Sequence, residues 1–159
     1  MRHLGASELI ACGHPNEAIA FQRDSHFNRV VALGVSNRTE GEVPETELFR
    51  GLSSSLALGI ERAETVGAKA ALVALGDMPF VSPAHFAALV AAFDPATAPI
   101  VASDRAGVAM PPAVFDKTVF ADLRNGEGDQ GARALIRGAA LVAADPHELA
   151  DIDRPEDIQ

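Results

Sequence analysis

The chain has 159 residues, 48% of them hydrophobic, and its 13 Lys and Arg stand against 22 Asp and Glu for a formal net charge of −9. That length and apolar content suit one domain with a real core and argue against intrinsic disorder. The acidic balance repels phosphate backbones, and an aromatic share of 5% with no Trp or Tyr offers no stacking platform, so nucleic acid is a poor partner.

In chain order, residues 8–12 (ELIAC) form a short apolar run closed by Gly13, and residues 16–22 suit a short helix. Cys12 is the only cysteine, which rules out a disulfide framework and reads as a small buried hydrophobe on a strand. Residues 30–35 are a second apolar run, and the polar stretch 36–47, with Gly41 and Pro44, reads as a loop. Over residues 52–66, Leu56, Ile60 and Ala63 fall at i, i+4 and i+7, a helix that Gly67 stops. Residues 70–75 (AALVAL) are a continuous apolar strand ending at Gly76-Asp77-Met78-Pro79. A second long helix covers 83–93, with Phe86, Leu89, Val90 and Phe93 on one side. Short strands at 100–102 and 113–115, helical stretches at 117–123 and 130–136, and an apolar run at 139–144 precede the closing segment 151–159.

No apolar run reaches the length of a membrane span, and the N-terminal stretch with Glu8 lacks a signal-peptide core, so a cytoplasmic chain without membrane association is expected. Apolar strands separated by helices predict an α/β fold with a doubly wound, mainly parallel sheet covered on both faces. Ligands in such folds sit beyond the carboxyl ends of the strands, which directs attention to polar residues that follow apolar runs.

Asp77 is one such residue. Gly76 lets the backbone turn and Pro79 stops the strand, so its carboxylate is either a cation ligand or a turn Asp bonding its own backbone. Gly51-Leu52-Ser53-Ser54-Ser55 leads into a helix, where free N–H groups and hydroxyls favour an anion, although capping alone would account for the serines. Asp153 to Glu156 fits a capping box with Pro155 in the first turn. Gly126 to Gly131 spells GxGxxG, but Val119, Phe120 and Leu123 before it have helical spacing, so the dinucleotide fingerprint lacks its strand. The five histidines show no metal-ligand spacing and receive no chemistry.

Several segments together resemble one family. Gly51-Leu52-Ser53-Ser54-Ser55-Leu56 is similar to the GMSSSL motif of the MobA-like nucleotidyltransferases of molybdenum-cofactor synthesis, and Leu75-Gly76-Asp77-Met78-Pro79 to their LGDxP. Pro112-Ala113-Val114-Phe115, Gly128-Asp129-Gln130-Gly131-Ala132-Arg133 and Asp151-Ile152-Asp153-Arg154-Pro155-Glu156-Asp157 resemble their PxLF, GDxGAR and DIDTPED motifs, in the family's order. The resemblance implies a nucleotide-diphospho-sugar-transferase-like fold and transfer of a nucleotide from CTP or GTP to a molybdopterin phosphate, with release of pyrophosphate. It implies that Asp77 and Asp153 are the catalytic carboxylates and hold Mg2+, that Gly51, Ser53 and Ser54 bind the nucleotide, and that Asp129 and Arg133 bind the acceptor. The serine motif leans towards the cytidylyl branch.

The resemblance also carries a departure. The family opens with a strand, a triphosphate-binding loop LAAGxSxRMGxxK and a helix, whereas Met1-Arg2-His3-Leu4-Gly5-Ala6-Ser7 is similar to the end of that helix. Residues 1–159 are therefore expected to be a single domain without its first strand, loop and helix. Both lysines, Lys69 and Lys117, follow the serine motif, and Met110 stands where the family usually has glycine. With the opening strand gone, the strands at 8–12 and 70–75 are expected to pair directly, or a second copy to cover the exposed edges as a homodimer. The alternative function is a non-catalytic remnant or accessory module of the same fold, with weak or no nucleotide binding.

Overall fold

The structure, a computed structural model, describes residues 10–12, 30–35, 51–126 and 129–150. Its elements are β1 (Ile10–Cys12), β2 (Val30–Val35), α1 (Gly51–Thr65), β3 (Ala70–Leu75), α2 (Pro83–Ala92), β4 (Ile100–Arg105) and β5 (Val108–Asp116). A 3-10 turn (Lys117–Val119), α3 (Phe120–Asn125), α4 (Asp129–Ile136) and β6 (Ala140–Ala143) follow.

Alternation along the inner strands gives the layers. Ala71 and Val73 of β3 pack with Leu56, Ile60, Ala63, Ala113, Phe115, Phe120, Leu123 and Ile136, which puts α1, α3 and α4 on one face. Ala70 and Leu72 pack with Phe86, Leu89, Val90, Phe93, Val101 and Val114, which puts α2 on the other. Both faces of β3 and of the inner halves of β4 and β5 are therefore dry, as continuous apolar strands require.

Helix ends follow local chemistry. Gly67 takes φ +69 after α1, and the amides of Ala68 and Gly67 return to the carbonyls of Ala63 and Glu64, each at 2.9 Å. That pairing is a Schellman stop, with Ala63 and Ala68 making its apolar contact in the core. Ser82 caps α2 by accepting from the His85 amide at 3.2 Å, and Pro83 fills the first turn, where no donor is needed.

Among the described residues the sheet runs β1-β2-β3-β5-β4-β6, with β5 alone antiparallel to the rest. The doubly wound, mainly parallel α/β architecture is thus present, with one reversed strand. The reversal comes from a two-residue turn, Ala106 and Gly107 at φ 54 and 85, whose handedness matches the twist of a hairpin. Asp104 Oδ1 accepts from the Gly107 amide at 2.6 Å and closes the turn.

The expected strands at 100–102 and 113–115 are the inner parts of this longer hairpin, where Ile100, Val101 and Ala102 face Phe115, Val114 and Ala113. Beyond Ala102 the register shifts past Pro111 and Pro112, and Ser103 then faces Met110. Polar residues and prolines conceal this half from an apolar-run reading, and the prolines are tolerated where the ladder is broken. The helical stretch expected at 117–123 is a 3-10 turn followed by α3, because Asp116 accepts from the Thr118 amide at 2.9 Å and tightens the first turn.

One expectation is corrected. The strand ending at Cys12 does not pair with β3, because β2 lies between them and is parallel to both, from Ile10↔Leu33 on one side to Val35↔Leu75 on the other. Six consecutive residues of apolar or small character suit a strand flanked on both edges, which is the interior place β2 takes. The helix expected at 16–22, the loop at 36–47 and the capping box at 153–156 lie outside the described residues. No described helix is long and apolar enough to cross a membrane.

Candidate functional site

Three of the expected site segments share one edge of the sheet. Helix α1 ends at Thr65, just before β3 begins at Ala70, so it runs antiparallel to that strand. Its first turn therefore stands at the edge where β3 finishes. Gly51, Ser53 and Ser54 lie inside that first turn and not ahead of it, so the serines are not the N-cap residue the capping reading required. The first four amides of a helix have no partner within it, and their partial positive charge faces this rim.

Asp77 follows β3 directly. The Met78 amide reaches back to the Leu75 carbonyl at 3.4 Å, and Met78 itself is buried, which turns the backbone so that Asp77 is exposed on the rim. On the far side of β5, α4 leads into β6, which is parallel to β4, so the Asp129 end of that helix also points to the carboxyl edge. Arg133 follows one turn later at i+4 and is exposed. Asp153 lies outside the described residues, and among the described residues no group of three His, Cys, Asp or Glu could hold a metal. The GxGxxG string begins at the end of α3, a helix, so the fingerprint lacks its preceding strand here too.

The last described stretch, 145–150, is tied to this edge by several contacts. The His147 ring lies 4.9 Å from that of Phe80, three residues after Asp77. Leu149 is fully buried, and Arg105 Nη1 approaches its carbonyl at 3.5 Å. Asp145 Oδ1 accepts from the His147 amide at 2.8 Å, folding the stretch into a turn.

Sequence reasoning gave the histidines no chemistry, yet His85 is 5% exposed and sits 2.8 Å from Ser103 Oγ, which in turn donates to the Pro112 carbonyl at 2.8 Å. Burial holds the imidazole below its ordinary pKa, and the charge of Glu148 pulls it partly back. Hydrogen bonding by the Ser82 hydroxyl is the main cause that holds Glu148 below the usual carboxylate range, with the Asp145 and Ser82 amides and His85 adding to it. The only sequence signals for this network were a serine inside an apolar run, IVAS, and a histidine three residues after a Ser-Pro helix start.

The profile of the MobA-like NTP transferase domain matches residues 3–147. Purine catabolism protein PucB of Bacillus subtilis is 37% identical over 114 residues, covering 68% of this chain and 54% of PucB. The chain thus spans about half the length of that curated relative. Rv0371c of Mycobacterium tuberculosis superposes with a TM-score of 0.56 at 20% identity, over 81% of this chain and 72% of that one. A further structure of Rv0371c is a complex with manganese. A nucleotidyl transferase from Methanothermobacter gives a TM-score of 0.55 at 23% identity, over 81% of this chain and 68% of that one. At such identities these structures speak for the nucleotide-diphospho-sugar-transferase fold.

Proposed function

The chain belongs to the MobA-like NTP transferase family, and from that membership we propose that it transfers a nucleotidyl group from a nucleoside triphosphate, CTP or GTP, to the phosphate of a molybdopterin-type acceptor, with Mg2+. An oxygen of the acceptor phosphate attacks the α-phosphorus and forms the new P–O bond. The bond from the α-phosphorus to the oxygen bridging to the β-phosphate breaks, and pyrophosphate leaves with that electron pair. Such a transfer needs two anions aligned and developing charge neutralised, more than it needs covalent help.

The observation that carries this reading is Asp77, an exposed carboxylate on the turn that ends a strand buried on both faces. Its hard oxygens suit a divalent cation, and Mg2+ takes one or two protein carboxylates and completes its shell with water and substrate phosphate. A pair of carboxylates, Asp77 and Asp153, is therefore a sufficient donor set. The bound cation would supply charge neutralisation on the phosphate oxygens.

The remaining roles fall to this chain's own groups. The amides of Gly51 and Ser53 in the first turn of α1 offer donors to the nucleotide, with Ser54 next to them. Asp129 and Arg133, one turn apart on α4, would bind the acceptor, with Arg133 pairing its phosphate.

The test is pyrophosphate release from CTP and from GTP, with Mg2+ or Mn2+, in the presence of a reduced pterin phosphate. Mn2+ is included because Rv0371c, whose fold this chain shares, was seen with manganese. The name of PucB attaches that protein to purine catabolism, so phosphorylated purines belong beside the pterin as acceptors. Metal-dependent release with one nucleotide supports the reading, and no release with any combination rejects it.

A further inference from the structure

Among the described residues β6 closes one side of the sheet, with β4 as its one neighbour. The outward N–H and C=O groups of such a strand are a template for another, and natural sheets blunt these edges with charge, proline or a bulge. None of these devices lies within β6. Residues 139–144 read AALVAA, and the strand follows β4 in unbroken register from Ala140 to Ala143. Leu141 stands 45% exposed, with Ala140 and Ala143 exposed beside it.

The two ends of the strand carry opposite charges. The Ala139 amide returns to the Ile136 carbonyl at 3.0 Å, which sets the exposed Arg137 on the turn leading into β6. The exposed Asp145 follows the far end, and a carboxylate that accepts from the His147 amide through Oδ1 keeps further lone pairs for a cation. An antiparallel partner brings the start of one strand to the end of the other, so a second copy meets each charge with its opposite.

Register selects one arrangement. In a two-fold antiparallel pair, one residue lies directly opposite its own copy, and opposed residues share a face of the sheet. Centred on Leu141, the pair sets Leu141 against Leu141, Ala140 against Val142, Ala139 against Ala143 and Arg137 against Asp145. Centred on Val142 it would set Asp145 against Ala139, and centred on Ala140 it would set Arg137 against Ala143. A formal charge of −9 on each copy opposes association, so the register that joins unlike charges is the favoured one.

We propose that β6 is a homodimer interface: two copies of this chain pair edge to edge through antiparallel β6 strands centred on Leu141, with Arg137 of each copy against Asp145 of the other. The contact uses the same edge of both copies and closes at two, which joins their sheets into one and leaves neither β6 edge open.

The experiment measures mass by sedimentation equilibrium over a range of protein concentrations, for the wild-type chain, Arg137→Glu and Asp145→Lys. The wild type is expected to pass from monomer to dimer as concentration rises, with amide exchange in 139–144 slowing as it does. Each variant puts like charges together at both ends of the paired strands and is expected to weaken the dimer by about tenfold or more. An equal mixture of the two variants is expected to recover it. The mixed dimer sets the introduced carboxylate against the introduced ammonium at one end and Arg137 against Asp145 at the other, and a fold damaged by either substitution could not give that recovery. A wild type that stays monomeric, or that grows beyond two copies, overturns the proposal. So does a dimer that both variants keep, a mixture that stays monomeric, or exchange in 139–144 that does not respond to concentration.

Discussion

His85 Nε2 and Ser103 Oγ lie 2.8 Å apart, and the second bond of Ser103 decides which of them donates. A hydroxyl has one proton, and Ser103 gives it to the Pro112 carbonyl at 2.8 Å. His85 must therefore carry its proton on Nε2 and donate it to Ser103 Oγ.

Removing Ser103 strands both neighbours. Ser103→Ala leaves a buried imidazole N–H and a backbone carbonyl without this partner, at about 1–3 kcal/mol for each group left unmade. The expected outcome is a loss of about 2–3 kcal/mol in urea unfolding with an unchanged denaturant slope. A loss below about 0.5 kcal/mol would mean that the site admits water to both groups.

Acid should weaken the fold in two stages. His85 has a folded pKa below its ordinary value of about 6.5, so the unfolded chain binds the proton first as pH falls. Its contribution is complete above that value and is lost as pH drops towards the lowered folded pKa. Glu148, also lowered, contributes fully above the ordinary glutamate value and loses that contribution as pH falls through its folded pKa. Denaturation midpoints measured from pH 8 to pH 3 should show both declines. His85→Gln should remove the upper one and leave the lower.

How much of this could be read from residues alone differs from element to element. The spacing of Leu56, Ile60 and Ala63 and the AALVAL run reported real local chemistry, and α1, α2 and β3 formed where that chemistry put them. Asp77 was legible for the same reason, since Gly76 and Pro79 end the strand at a place the topology then turns into a rim. The outer half of the β4–β5 hairpin was hidden because Ser103, Asp104 and two prolines break the apolar alternation. The place of β2 between β1 and β3 was missed because periodicity states that a run is a strand, never which neighbours it takes. His85 was passed over because its partner lies 18 residues away, and only folding brings the two together.

Ala106 invites a stabilising change. It holds φ 54 in a two-residue hairpin turn, a region that costs an ordinary L-residue about 1–2 kcal/mol and that Asn enters more readily. Ala106→Asn with Gly107 behind it gives the Asn-Gly pair favoured in this turn. A gain of about 1 kcal/mol is expected, read as a rise in Tm of about 2–4 °C. No rise would mean that the hairpin conformation is set by the Asp104–Gly107 bond and not by the turn residues.

Asp77→Asn separates chemistry from structure. The amide keeps the size and one carbonyl oxygen of the carboxylate but removes its charge, and at an exposed position the change in stability should stay within about 0.5 kcal/mol. On the proposed function, a cation held between two carboxylates and substrate phosphate would lose half of its protein charge, so its grip on the developing charge would weaken. If that stabilisation is worth about 3–4 kcal/mol, pyrophosphate release falls by two to three orders of magnitude, since each 1.36 kcal/mol is tenfold. Raising Mn2+ should recover part of the rate by mass action, with Tm unchanged throughout. A variant that keeps more than about a tenth of the wild-type rate would remove Asp77 from the cation site.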